Sequence, residues 1–401
     1  HPGFAKGRMI NAIRLAAEGF AVTPRVAHDW RRNADKLAQD ANAARICLPG
    51  GQCPRAGEVH RQPQLAETLR AISREGRDGF YKGRVAADMV SYLQSQGGRH
   101  SLDDFARHAV EYVEPISTRY RGVDVLEIPP NGQGITTLMM LNILSGYDLA
   151  RLDPHGPERF HLEAEATQIA FGVRDTYVAD PAFAAVPVKK LLSAEFAAEM
   201  RARIDLKRAM PVGAVASGGY RDTVYITVVD SERNACSFIN SLFFQFGCGL
   251  VTPNTGVVFQ CRGAGFRVEP GHPNCVAPGK RPMNTIIPAL ALKDGQPWLS
   301  FGVMGGGYQP VGQTHVLTNI VDYGMDPQEA IDSPRCFHVG GALEAERGVS
   351  DATVAGLAAL GHRMVRPENP WGGGQAIAID HVNGTLAAGS DPRRDGCALA
   401  Y

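Results

Sequence analysis

The sequence has no surplus of charge: lysine plus arginine and aspartate plus glutamate number 41 each. Nor is any basic stretch interleaved with aromatics, which excludes nucleic acid and an anionic membrane surface as expected partners. No apolar run reaches the roughly 18 to 20 residues that cross a bilayer, and the opening His1-Pro-Gly-Phe-Ala-Lys6 lacks the apolar core of a signal peptide. The eight cysteines (Cys47, Cys53, Cys236, Cys248, Cys261, Cys275, Cys336 and Cys397) form neither a paired CxxC set nor a dense disulfide scaffold. They are expected to be thiols, which leans toward a cytoplasmic compartment and leaves a periplasmic one open. The twelve histidines show no HExxH or similar spacing, so no metal is expected, and His60, His100, His108 and His315 are expected as surface or core residues. Met304-Gly-Gly-Gly307 lacks the Lys-Ser/Thr of a phosphate loop, and no cofactor is expected. What remains is a small soluble substrate.

At 401 residues the chain is long enough for two lobes or one large layered domain. Its first half carries one-faced helical patterns: Leu65, Leu69 and Ile72, then Val85, Met89, Val90 and Leu93. Ser101 with Asp104 suggests a capping box, and Pro157 to Tyr177 a long helix opened by its proline. Val123 to Ile128 reads as a strand. After about residue 222 the pattern turns to hairpins: Thr223 to Val229 with Asn234 to Asn240, Ile287 to Lys293 with Gln296 to Val303 across Asp294-Gly295, and Gln375 to Asp380 with Thr385 to Ser390 across Asn383-Gly384. Helices intervene at Val311 to Tyr323 and Asp351 to Leu360, each stopped by a glycine. Hairpins and helices that cluster rather than alternate favour antiparallel sheets layered with helices, an α+β class, over a doubly wound sheet.

Thr223 opens a strand after the glycine-bearing run Ala216-Ser-Gly-Gly-Tyr-Arg-Asp222, and by itself such a threonine is structural. Its neighbours change that reading. Asp222-Thr-Val-Tyr-Ile-Thr-Val-Val-Asp230, Asn234-Ala235, Phe246-Gly-Cys-Gly249, Lys280-Arg-Pro282, Gly305-Gly306 and Ser390-Asp-Pro-Arg393, in that order and spacing, resemble the small subunit of gamma-glutamyltransferases. Ala12-Ile-Arg-Leu-Ala-Ala-Glu-Gly-Phe20, Gly57-Glu58 with Gln62-Pro63, Pro129-Pro130 and Asp180-Pro-Ala-Phe183 are similar to the large subunit.

That resemblance implies a four-layer αββα sandwich of the N-terminal-nucleophile hydrolases, made as one precursor that cuts itself between Asp222 and Thr223. Residues 1–222 would form a large-subunit portion and 223–401 a small subunit, paired as a heterodimer or a dimer of heterodimers. It further implies that Thr223 is the nucleophile, that Ser241 stands where a threonine hydrogen-bonds near it, and that Gly305 and Gly306 offer N–H groups to an oxyanion. The chemistry is self-consistent. A threonine hydroxyl needs a base, and cleavage frees an α-amine whose ordinary pKa, about 7.7 to 8.0, suits that role without a Ser-His-Asp arrangement.

The pattern departs from the family at the substrate. Where an asparagine, a glutamine and an aspartate hold the glutamyl α-amino group, this sequence has Phe243, Arg262 and Gly265. Arg262 would repel an ammonium and welcome a carboxylate, unless it only pairs with a surface acid. Asn284 and Thr285 stand where the family carries two hydroxyl residues, with substrate-binding and core or turn roles both open. Trp371-Gly-Gly-Gly-Gln375 reads as a loop over the site, with Gln375 a substrate contact, or as a plain hairpin connection; Met304-Gly-Gly-Gly307 reads as the oxyanion turn or a flexible one. Cys236 and Cys261 are expected as buried hydrophobes, and Asp391 to Arg393 as a brace for the last strand. The over one hundred residues that relatives carry before Ala12, with their carboxylate-clamping arginine, are not in this sequence; a fragment, missing residues, and a takeover of anion binding by Arg262 all stay open. Three functions follow: acyl transfer from a gamma-glutamyl amide to water or an amine; hydrolysis of a small anionic amide, as by an oxamate amidohydrolase or a dicarboxylyl (cephalosporin-type) acylase; or an unprocessed, non-catalytic binding protein.

Overall fold

The computed structural model describes residues 9–211 and 221–401. The run 212–220 and the side chains of Arg221 and Asp222 lie outside the described residues, so at the proposed cut the side chain of Thr223 alone is described. The chain divides into two compact units, one of residues 1–112 and 244–261, the other of 113–243 and 262–401. This division concerns packing and is distinct from the covalent one expected at 222/223.

In the first unit, short strands β1 (Phe20–Ala21) and β2 (Val59–His60) pair antiparallel, and a core gathers Val22, Trp30, Leu37 and Val251. The helix expected around Leu65 runs Pro63–Glu75, but its buried residues are Ala66, Thr68 and Ala71. Small side chains make the close contact here, as Thr68 Oγ1 donating to the Thr255 carbonyl at 2.8 Å shows, and the larger Leu65, Leu69 and Ile72 stay half-buried.

The second unit is built on one antiparallel sheet. Its strands are β3 (Ile116–Tyr120), β4 (Val123–Glu127), β7 (Ala289–Lys293), β8 (Gln296–Met304), β12 (Gly373–Asp380) and β13 (Thr385–Ser390), ordered β13-β12-β8-β7-β4-β3. All three expected turns close hairpins; at Asp294-Gly295 both residues have positive φ, 51° and 77°, the conformation a two-residue primed turn demands. A hairpin of β5 (Arg221–Val229) and β6 (Ala235–Phe244) packs on β8 and β12. Leu299, Phe301 and Val303 point into the main core with the helices Gly134–Leu144, Pro157–Tyr177 and Gln309–Tyr323. Ser300 and Gly302 point the other way, toward β5, so β8 is buried on both faces and reads as a continuous apolar run rather than an alternating one. A small separate sheet of β9 (Cys336–Val339), β10 (Ala342–Ala345) and β11 (Met364–Val365) sends Phe337 of β9 into the same core.

The Ser101–Asp104 capping box forms as expected. No disulfide joins any of the eight cysteines. Cys236, expected inside, is exposed, because it falls on the outward alternation of β6 beside exposed Phe238. Cys261 is half-buried, and its sulfur accepts the Phe244 N–H at 3.4 Å. Asp391 does brace the last strands. Fully buried, it accepts from Arg335 Nη2 at 2.6 Å and from the Gly374 N–H at 2.8 Å, while Arg393 bridges it to Glu346.

Burial alone would raise the Asp391 carboxyl, but Arg335 and Arg393 outweigh it and hold it below the ordinary range. A carboxyl lowered in the folded state stabilises above its unfolded pKa, about 3.9, and that stabilisation is lost as pH falls through the folded value. Asp391→Asn should therefore cost about 3–5 kcal/mol near neutral pH, since it strands a buried guanidinium, and the gap from the parent should shrink in acid. Urea unfolding at pH 7 and pH 3 measures both; a pH-independent gap would assign the loss to packing instead.

Candidate active site

Thr223 sits near the start of β5 and is 4% exposed. Period-two alternation sends Thr223, Tyr225 and Thr227 inward and leaves Val224, Ile226 and Val228 about half exposed. The inward residues fix the strand. The Tyr225 ring lies so close to Gly302 that a Cβ there would come within 2.5 Å of it. Its hydroxyl shares a 2.7 Å hydrogen bond with Ser237, and burial raises its pKa, keeping it neutral. Thr227 Oγ1 donates to Ser300 Oγ at 2.6 Å.

Thr223 Oγ1 donates to Ser241 Oγ at 3.0 Å, and the same Ser241 oxygen accepts the Phe243 N–H at 2.9 Å. Phe243 holds a φ of +79° and is buried, a conformation a bulky residue adopts only when its surroundings impose it. Above its ring, at 4.4 Å, lies the Arg262 guanidinium, which donates from Nη1 to Thr285 Oγ1 at 2.6 Å. Arg262 is 7% exposed.

From Thr285 the network continues. Gln133 Nε2 donates to the carbonyls of Thr285 and Gly306, each at 2.9 Å, and its Oε1 accepts from Arg174 at 3.0 Å. A connected path thus runs from Thr223 through Ser241, Phe243, Arg262, Thr285 and Gln133 to Gly306. Gly305 and Gly306 have φ of +129° and +61°, as glycine allows. The Gly305 carbonyl accepts the Tyr308 N–H at 3.1 Å. Because the C=O and N–H of one peptide point in opposite directions, the Gly306 N–H faces away from that turn, against which β5 packs.

The other candidate residues are placed differently. Asn284 turns its Oδ1 onto the Ile286 N–H at 3.2 Å, a local turn, and joins the site through its backbone to Asn131 and Gln133. Gly265 accepts from Asn274 Nδ2 at 2.8 Å, and a Cβ on it would lie 3.1 Å from the Met283 carbonyl. Gln375 lines a groove of about 290 Å³ with Val224, Thr227 and Leu399, and hydrogen bonds do not link it to the path among the described residues. From Gly373 onward the glycine run before it is already strand β12. Gln133 and Arg174 escaped the sequence reading; the signal for Gln133 was its place three residues after Pro129-Pro130. The separate motifs meet here, because Asp180 takes three hydrogen bonds from Arg281, which hold its carboxyl low despite its burial.

A model of the gamma-glutamyltranspeptidase family matches residues 8–401. The chain belongs to that family. It is 37% identical over 393 residues to the glutathione hydrolase-like YwrD proenzyme of Bacillus subtilis, a match covering 96% of this chain and 74% of that one. To the oxamate amidohydrolase proenzyme of Klebsiella pneumoniae it is 34% identical, over 98% and 75%. The crystal structure of cephalosporin acylase from Bacillus halodurans superposes with a TM-score of 0.90 at 38% identity, over 98% of this chain and 73% of that one. As a gamma-glutamyltranspeptidase-like amidohydrolase, the chain has the α+β sandwich of the N-terminal-nucleophile hydrolases, within which the helix, six-stranded sheet and β5–β6 layers of the second unit fall.

Gly302→Ala should push on the Tyr225 ring and cost about 1–3 kcal/mol of stability, the usual range for overpacking. Urea midpoints compare the two proteins, and an unchanged midpoint would show that the ring yields and β5 is held by other means.

Proposed function

We propose that this amidohydrolase cuts itself between Asp222 and Thr223 and then uses Thr223 as the nucleophile on a small anionic amide. The hydrogen bond from Thr223 Oγ1 to Ser241, at the buried start of a strand whose neighbours lead directly to Arg262, carries the reading. Thr223 Oγ1 attacks the amide carbonyl, and its proton passes to the freed α-amine and on to the leaving nitrogen as the C–N bond breaks. Water or an amine then attacks the acyl ester and returns Thr223. Gly306 and Gly305 N–H groups bear the oxyanion, and loss of one such donor typically costs about 2.7–4 kcal/mol. Ser241 holds the hydroxyl in place.

For the substrate, the guanidinium supports the anionic reading. Two like unit charges about 4 Å apart repel by roughly 4 kcal/mol at an effective dielectric of 20, so a glutamyl α-ammonium beside Arg262 is disfavoured and a carboxylate favoured. The relative named for oxamate, itself a small anionic amide, supports this choice. Gamma-glutamyl transfer is the second reading, carried by the relative named glutathione hydrolase-like.

Intact-mass analysis should show two fragments, the second beginning at Thr223, where a lasting single uncut species favours a silent binding protein. Thr223→Ala should abolish both cleavage and turnover; turnover that survives places the nucleophile elsewhere. Oxamate and a glutathione analogue assayed side by side should favour oxamate in kcat/KM, and robust gamma-glutamyl turnover would overturn the role given to Arg262.

A further inference from the structure

Outside this site, three side chains converge in the interior of the second unit. His161 and Glu165 lie one turn apart on the helix Pro157–Tyr177, and His362 reaches them after the helix Asp351–Ala359. They are 1%, 0% and 5% exposed, and a ligand atom of each lies within 4.8 Å of the others. We propose that His161 Nδ1, His362 Nε2 and the Glu165 carboxylate bind a divalent transition cation of the zinc class.

The surroundings orient these groups as the outer shell of a metal site does. His161 Nε2 lies 2.8 Å from the Asp205 carbonyl, which fixes its proton there and leaves the Nδ1 lone pair facing His362. Glu165 is held by two amides, the Met210 N–H at 3.0 Å and Gln168 Nε2 at 3.4 Å, so this buried carboxylate takes its orientation from neutral donors. A third imidazole, His338, tilts against His362 at 5.6 Å. Two imidazoles and a carboxylate are a zinc-type ligand set. His161 Nδ1 and His362 Nε2 are 2.8 Å apart, one donating to the other. Ligands on a tetrahedral ion at about 2.0–2.1 Å would stand roughly 3.3 Å apart, so uptake moves the rings apart by about half an ångström and shifts the His362 proton to its other nitrogen. The cation would join the helix Pro157–Tyr177 to His362; Ala209 N–H donates to the Leu360 carbonyl nearby at 2.7 Å. A spacing of 201 residues between the two histidines hid the set from the sequence.

The full chain, dialysed against a chelator and titrated with zinc chloride, should bind one Zn2+ and gain melting temperature, and Co2+ in its place should absorb in the visible until Zn2+ displaces it. His362→Ala and Glu165→Gln should each weaken uptake by more than about 100-fold, while the exposed His100→Ala leaves it unchanged. Circular dichroism shows whether each variant still folds, and the wild-type titration stands without them. If the wild type takes up neither ion stoichiometrically, or a folded Glu165 or His362 variant binds as tightly as wild type, the cluster is a hydrogen-bonded core and the assignment is wrong.

Discussion

The seat of β5 on β8 is the contact on which the rest of the site depends. Gly302 offers no side chain, so the Tyr225 ring settles directly onto the strand, and Thr227 locks the register through Ser300. A shift of one residue would turn every inward side chain outward: Val224 would take the place of Tyr225, and Thr223 would leave Ser241. The nucleophile candidate is thus placed by residues that carry no chemistry themselves. A hydroxyl on a packed strand also keeps its geometry better than one on a loop.

From that seat the path to Arg262 sets the electrostatic character of the site. A buried guanidinium is costly unless it is paired or hydrogen-bonded, and an aromatic face and the Thr285 hydroxyl are among its partners here. Phe243 is held in a left-handed conformation beneath it. Two of the three departures from the family pattern thus fit each other, ring against cation, while at Gly265 the neighbours that a side chain would meet are the Met283 carbonyl and Pro282.

Much of this was legible in the sequence where the signal is local. Asp294, Gly295 and Gly384 mark hairpin turns because few residues tolerate positive φ, and Ser101 with Asp104 marks a helix start because both groups act within four residues. The helix Gly134–Leu144 was not legible, since ten of its eleven residues are buried and an apolar run without a polar face shows no period. Leu65, Leu69 and Ile72 gave the helix but not its buried side, because close packing selected the alanines. At the site, the family resemblance pointed to Thr223, Ser241, Arg262 and Thr285, which hydrogen bonds and a ring contact join in the structure. Gln133 was missed: its role comes from reaching two carbonyls, and carbonyls leave no mark in a sequence.

The distribution of anchors along β5 bears on how one residue could be both a cleavage site and a nucleophile. Within an intact chain the nitrogen of Thr223 belongs to an amide, whose lone pair is delocalised and cannot take the hydroxyl proton. The base proposed for turnover thus comes into being only with the cut, and it is useful only if the new terminus stays in place. Every described side-chain anchor of the strand lies at or beyond the proposed cut: Thr223 on Ser241, Tyr225 on Ser237 and Gly302, Thr227 on Ser300. Breaking the peptide bond ahead of them removes none of these contacts. The strand that is positioned in the precursor would stay positioned in the product, and the freed amine would remain on the same residue as the hydroxyl it must deprotonate.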